Sequence, residues 1–137
     1  MVIILIILAG VFVCALGLHG YKQLQIRRAR RMSKNEYNTA VTLWEYARLV
    51  REQIDTAVHQ RKGVLDFATI TVPHSPGYRV SLELIGSYFR VYAVPNKYNR
   101  TGRLSFVTDT TLSVRAADRS GNPACADDSE YEGEAID

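Results

Sequence analysis

The chain has 137 residues, 17 Lys/Arg against 14 Asp/Glu, a net charge of +3 and two cysteines. That length holds one domain with a modest core. Cys14 lies in an apolar run and Cys125 in an acidic stretch, so a disulfide-stapled scaffold is excluded and cysteine usage names no redox compartment.

Residues 2–18, VIILIILAGVFVCALGL, carry no charge, amide or hydroxyl. As a helix this run is about 26 Å long, close to the ~30 Å hydrocarbon layer of a bilayer. Lipid offers no partner for backbone polar groups, so the run is expected to be a helical membrane anchor. A cleaved signal peptide would put its positive charges first, and here they follow. A buried helix of a small domain is rarely apolar on every face. Gly10, Cys14, Gly17 and Gly20 fall roughly on one stripe, where small side chains let helices approach closely. Residues 1–20 are therefore taken as the anchor, with Tyr21 at its boundary.

Charge then changes along the chain. Residues 19–62 hold ten Lys/Arg against four Asp/Glu, residues 63–117 six against three, and residues 118–137 one against seven. Lys22, Arg27, Arg28, Arg30 and Arg31 abut the anchor and suit anionic lipid headgroups. Nucleic acid is the less favoured partner for that block. From Tyr37 the apolar residues Ala40, Val41, Trp44, Ala47, Val50 and Ile54 recur at three- and four-residue steps, the mark of an amphipathic helix. Arg61, Lys62 and Gly63 form a suitable helix end. An unbroken helix to that point would be about 90 Å long, too long to bury itself in one small domain.

Residues 63–117 look β. Residues 65–72 (LDFATITV), 78–84 and 88–94 are predicted strands, with turns at 74–77 and at Gly86-Ser87. Residues 103–108 and 112–116 are predicted as a hairpin with Asp109-Thr110 near its tip. The expected fold is α+β: a long N-terminal helix packed on a small antiparallel sheet of three or four strands. Val41, Trp44 and Ile54 on the helix, and Val80, Leu82, Phe89, Val91, Phe106 and Val114 on the sheet, are the expected core. Residues 118–137 are expected to be an acidic flexible tail.

Catalytic chemistry does not assemble by motif. His19, His59 and His74 are isolated, and Gly77, Gly86 and Gly102 are separate turn residues. No catalytic residue, cofactor or metal is expected. Asp127, Asp128, Glu130, Glu132 and Glu134 lack the spacing of a calcium loop. Arg79, Arg90, Arg100, Arg103 and Arg115, interleaved with Tyr88, Tyr92 and Tyr98, read as a solvated strand face before they read as a nucleic-acid or polysaccharide surface.

Four segments carry a resemblance. They are Gly77-Tyr78-Arg79-Val80-Ser81-Leu82, then Tyr88-Phe89-Arg90-Val91-Tyr92-Ala93-Val94-Pro95, then Thr101-Gly102-Arg103-Leu104-Ser105-Phe106-Val107-Thr108-Asp109, then Val114-Arg115-Ala116-Ala117-Asp118. In order and spacing, residues 77–126 resemble one subgroup of type IV pilins and pseudopilins. The resemblance implies a single-pass protein of the bacterial inner membrane with no enzymatic activity. Its partners would be copies of itself or other pilin-like subunits, membrane lipid, and the pilus or type II secretion machinery that stacks the helices into a filament. Extraction from lipid at about 25 cal/mol per Å² is affordable only if neighbouring helices re-cover the anchor. No Glu precedes Glu36 here, whereas the family carries one near its mature N-terminus. The alternative expectation is a single-pass accessory protein that docks a partner through its basic helix and β domain, since basic residues beside an anchor favour the cytoplasmic side.

Overall fold

The computed structural model describes residues 2–59, 70–86 and 88–133, with side chains from Gly17 onward. Helix α1 runs from Val2 to His59 without a break over 58 residues. Proline is absent before Pro73, so nothing in the run removes a helical hydrogen bond. Strands β1 (Tyr78–Ile85), β2 (Tyr88–Pro95), β3 (Leu104–Asp109) and β4 (Arg115–Asp118) follow. They form one antiparallel meander in the order β1-β2-β3-β4. The molecule is thus α+β. It divides into two compact units, Met1–Arg31 and Met32–Asp137. The first is helical from Val2; the second holds the remainder of α1 and the whole sheet.

In the second unit one stripe of α1 is buried: Ala40, Leu43, Ala47, Val50 and Ile54, flanked by Tyr46. Their steps of three and four keep them on one face. Cross-strand register supplies the facing surface. Val80, Ala93, Phe106 and Ala116 form one row across the four strands, and Leu82, Val91 and Thr108 a second. Phe89, Val91, Ala93 and Phe106 are fully buried against the helix stripe, with Val80, Leu82, Val114 and Ala116 half-buried beside them.

The structure corrects two expectations. Val41 and Trp44 are 39% and 45% exposed, so neither is core. The buried stripe passes through Leu43 instead, about 100° around the helix from Trp44. The second half of the predicted hairpin is displaced: residues 112–114 are irregular and β4 begins at Arg115. Asp109 causes this. Its carboxylate accepts the Thr111 amide at 2.8 Å, its carbonyl accepts the Leu112 amide at 2.9 Å, and Leu112 is driven to φ 63°, where no strand continues. Within the predicted strand 65–72, residues 65–69 lie outside the described residues, and residues 70–72 form no strand among the described residues.

The acidic segment also differs from a loose tail. The Ala116 amide donates to Ser129 O at 2.9 Å and the Tyr131 amide to Val114 O at 2.8 Å, adding a short pairing on the free edge of β4. Tyr131 places its ring edge-on to Phe106 at 5.2 Å, and Ala124 is buried. Arg119 pairs with Asp128, whose carboxylate also accepts the Cys125 amide at 2.7 Å.

Candidate assembly surfaces

Helix and sheet are joined by polar contacts at one end of the buried stripe. The Glu36 carboxylate accepts the backbone amides of Arg103 at 2.7 Å and Leu104 at 3.2 Å. Asn35 donates to Thr101 O at 2.9 Å, and the Thr39 and Ser75 hydroxyls share a bond of 2.7 Å. Further along, Arg51 donates to Thr110 O at 3.2 Å. The segments around Gly77 and Thr101 meet at this joint. Gly77, at φ +81°, lies so close to Thr101 that a Cβ would stand 2.9 Å from Thr101 Cβ. The Tyr78 ring fills the space over Gly102 and donates its hydroxyl to Leu104 O at 2.9 Å. Burial first, then the negative field of Glu36, pushes the Tyr78 phenol far above its usual range. A neutral, hydrogen-bonded tyrosine of this kind is a wedge, with no proton to give at ordinary pH.

The outer face of the sheet carries arginines in a matched setting. Register puts Glu83, Arg90 and Asp109 side by side on three strands. Tyr92 donates to Glu83 at 3.0 Å, Tyr88 donates to Asp109 at 2.8 Å, and Arg90 stacks over the Tyr88 ring at 5.6 Å. Arg103 pairs with Asp118 at 3.1 Å, and the Tyr98 hydroxyl also donates to Asp118 at 2.9 Å. Arg115 donates to Asp128 O at 3.1 Å. Arg103 and Arg115 thus face an acid and a carbonyl of the same chain, and Arg90 lies against Tyr88 and Tyr92.

Carboxylate titration follows from these contacts. At Asp109 burial pushes the carboxyl up, but bonds from Thr111 and Tyr88 outweigh it and hold it below the usual range. Arg119 does the same for Asp128, and Tyr98 with the Ser120 amide and Arg103 for Asp118. Among the described residues no three His, Cys, Asp or Glu gather where a metal would sit. His59 Nδ1 meets Asp55 O at 2.7 Å within its own helix, and His19 and His74 are exposed.

Two surfaces remain exposed among the described residues. Residues 17–31 are all exposed, including Leu18, Tyr21, Leu24 and Ile26 and the basic Lys22, Arg27, Arg28, Arg30 and Arg31. A Cβ built on Gly17 or on Gly20 meets nothing within 4 Å. Gly10 and Cys14 fall among residues 2–16, whose side chains lie outside the described residues. Among the described residues no helix is long and apolar enough to cross a membrane; the apolar run proposed as anchor belongs almost wholly to residues 2–16. The second surface is a groove of about 320 Å³ in the second unit. Tyr37, Val41 and Trp44 of α1 line one side, and Leu112, Val114 and Tyr131 the other, with the exposed Glu130 beside them.

Comparison with protein-family models, characterised proteins and solved structures finds no match. Reading the residues alone missed Glu36, Leu43 and Tyr131. A polar residue at helical spacing ahead of an apolar stripe was the available signal for Glu36. For Tyr131, the signal was one large aromatic in an otherwise acidic stretch.

Proposed function

We propose that the chain is a non-enzymatic, pilin-like subunit of a type IV pilus or type II secretion filament, held in the inner membrane by residues 2–18 and assembled through its N-terminal helix. One observation carries the reading. α1 is continuous over 58 residues, yet among its described side chains, from Gly17 onward, the buried apolar ones lie between Ala40 and Ile54. Residues 17–31 are exposed, and among the described residues nothing stands within 4 Å of a Cβ built on Gly17 or Gly20. An exposed helix segment that follows an apolar run would be covered by lipid before assembly and by other helices after it. The α+β architecture agrees with the same reading.

The test uses exposed Cys125 as a marker. In spheroplasts producing the Cys14→Ser chain, a membrane-impermeant maleimide is expected to label Cys125 before lysis. Gly17→Leu is expected to leave the protein in the membrane fraction and to abolish chemically cross-linked oligomers. Labelling only after lysis, or unchanged oligomers, overturns the proposal; a cytoplasmic Cys125 would favour the membrane-anchored accessory protein.

A further inference from the structure

Resting on the filament reading, and naming the contact it uses, we propose that a second copy of this chain lays the face of α1 that carries Tyr21, Leu24, Arg28 and Arg31 into the groove beside Val41, Trp44 and Glu130.

Among the described residues the groove is largely apolar and open. Trp44, the chain's one tryptophan, is 45% exposed there and Val41 39%. Tyr37, Val41 and Trp44 stand at steps of four and three, the ridge with which one helix meets another. Gly17, Tyr21, Leu24, Arg28 and Arg31 follow steps of four, three, four and three, so they form one face of matching period. Tyr21 and Leu24 are 62% and 66% exposed, and Gly17 opens the same face to close approach. Successive turns of one helix cannot face each other, so the docking face comes from a second copy.

Charge sets the direction of docking. The apolar residues of the donor face come first and its arginines second. Alongside the groove are Glu130 and, in the same segment, Asp127 and Glu132, all exposed. Tyr21 and Leu24 seated against Val41 and Trp44 would leave Arg31, further along the same face, to meet Glu130 at the groove. Opposite charge at the edge of an apolar contact selects register and partner more than it adds affinity. The uneven charge along the sequence, basic after residue 19 and acidic after residue 118, is then an address that the chain carries for itself.

The experiment uses the purified full chain in mild detergent, with concentration raised until cross-linked species form. Acrylamide quenching of Trp44 is expected to fall as association proceeds, because the indole becomes covered. Glu130→Lys and Arg31→Glu are each expected to lower the cross-linked fraction roughly two- to fivefold at low salt, as exposed ion pairs do. Combining the two variants in one chain is expected to restore it. Association with Trp44 as quenchable as in the dilute chain, or a double variant no better than the single ones, overturns the groove contact and leaves the filament reading intact. Absence of any association at all overturns both.

Discussion

Replacing Gly102 by alanine puts a methyl group where the Tyr78 ring already stands. The added Cβ would lie 1.8 Å from Tyr78 Oη, 2.5 Å from Cζ and 2.9 Å from Cε2, well inside contact distance. Gly102 is not at positive φ, so the backbone raises no objection; the conflict is purely between two side chains. The ring cannot give way cheaply. Tyr78 is 4% exposed, is packed against Phe106 at 5.7 Å between centroids, and donates to Leu104 O at 2.9 Å. Crowding a packed site costs about 1–3 kcal/mol. Losing the hydroxyl's bond adds about 1 kcal/mol. Gly102→Ala is therefore expected to destabilise the chain by roughly 2–4 kcal/mol. Urea unfolding in mild detergent, followed by Trp44 fluorescence, measures it as a lower midpoint at unchanged slope. Tyr78→Phe alone is expected to cost about 1 kcal/mol. Because a bond cannot be lost twice, the double variant should cost less than the sum of the two single variants. A Gly102→Ala chain within ~0.5 kcal/mol of the parent, the range of an inert surface change, refutes the reasoning.

Glu36→Ala is expected to cost about 1.5–3 kcal/mol by leaving the Arg103 and Leu104 amides without their charged acceptor, and Glu36→Gln distinctly less because one oxygen remains to receive both; equal urea midpoints for the two variants would count against the pinning role. Tyr131→Ala is expected to cost about 2–3 kcal/mol through the half-buried ring and its contact with Phe106, whereas a tail that does not pack would register no change. Folding depresses the carboxyls of Asp109 and Asp128, so they contribute stability that is present above the unfolded value, about pH 4, and is lost as pH falls through the folded values below it. The melting temperature should fall as pH drops below about 4, and the fall should be shallower in Asp109→Asn; a melting temperature constant through that range would show the contacts contribute nothing. Gly17→Leu should leave the urea midpoint unchanged or slightly raised, since its Cβ meets nothing, while association is lost.

Period and phase separate cleanly in this chain. Apolar spacing in residues 37–58 revealed a helix with apolar residues on one side, and alternation in residues 78–94 revealed β1 and β2 with their turn at Gly86. Which ridge of the helix faces the sheet was not legible, because residues 37, 41 and 44 obey the same three-and-four rule as residues 40, 43 and 47. The choice is made by contacts between residues far apart in sequence. Glu36 reaches Arg103, Asn35 reaches Thr101, Thr39 reaches Ser75 and Arg51 reaches Thr110. These bonds turn Leu43 inward and leave Trp44 outside. The same limit hid the start of β4, which depends on the carboxylate of Asp109 capturing the turn, and the return of residues 129–131 to the edge of β4. Local pattern cannot tell a helix with one apolar ridge from a helix with two. Here there are two: one filled by the chain's own sheet, the other offering Tyr37, Val41 and Trp44 to a groove that the described residues leave open. The misplaced tryptophan is thus informative. A residue that satisfies the pattern of a core, and is left exposed by the fold, marks the surface at which the proposed second copy would complete the packing.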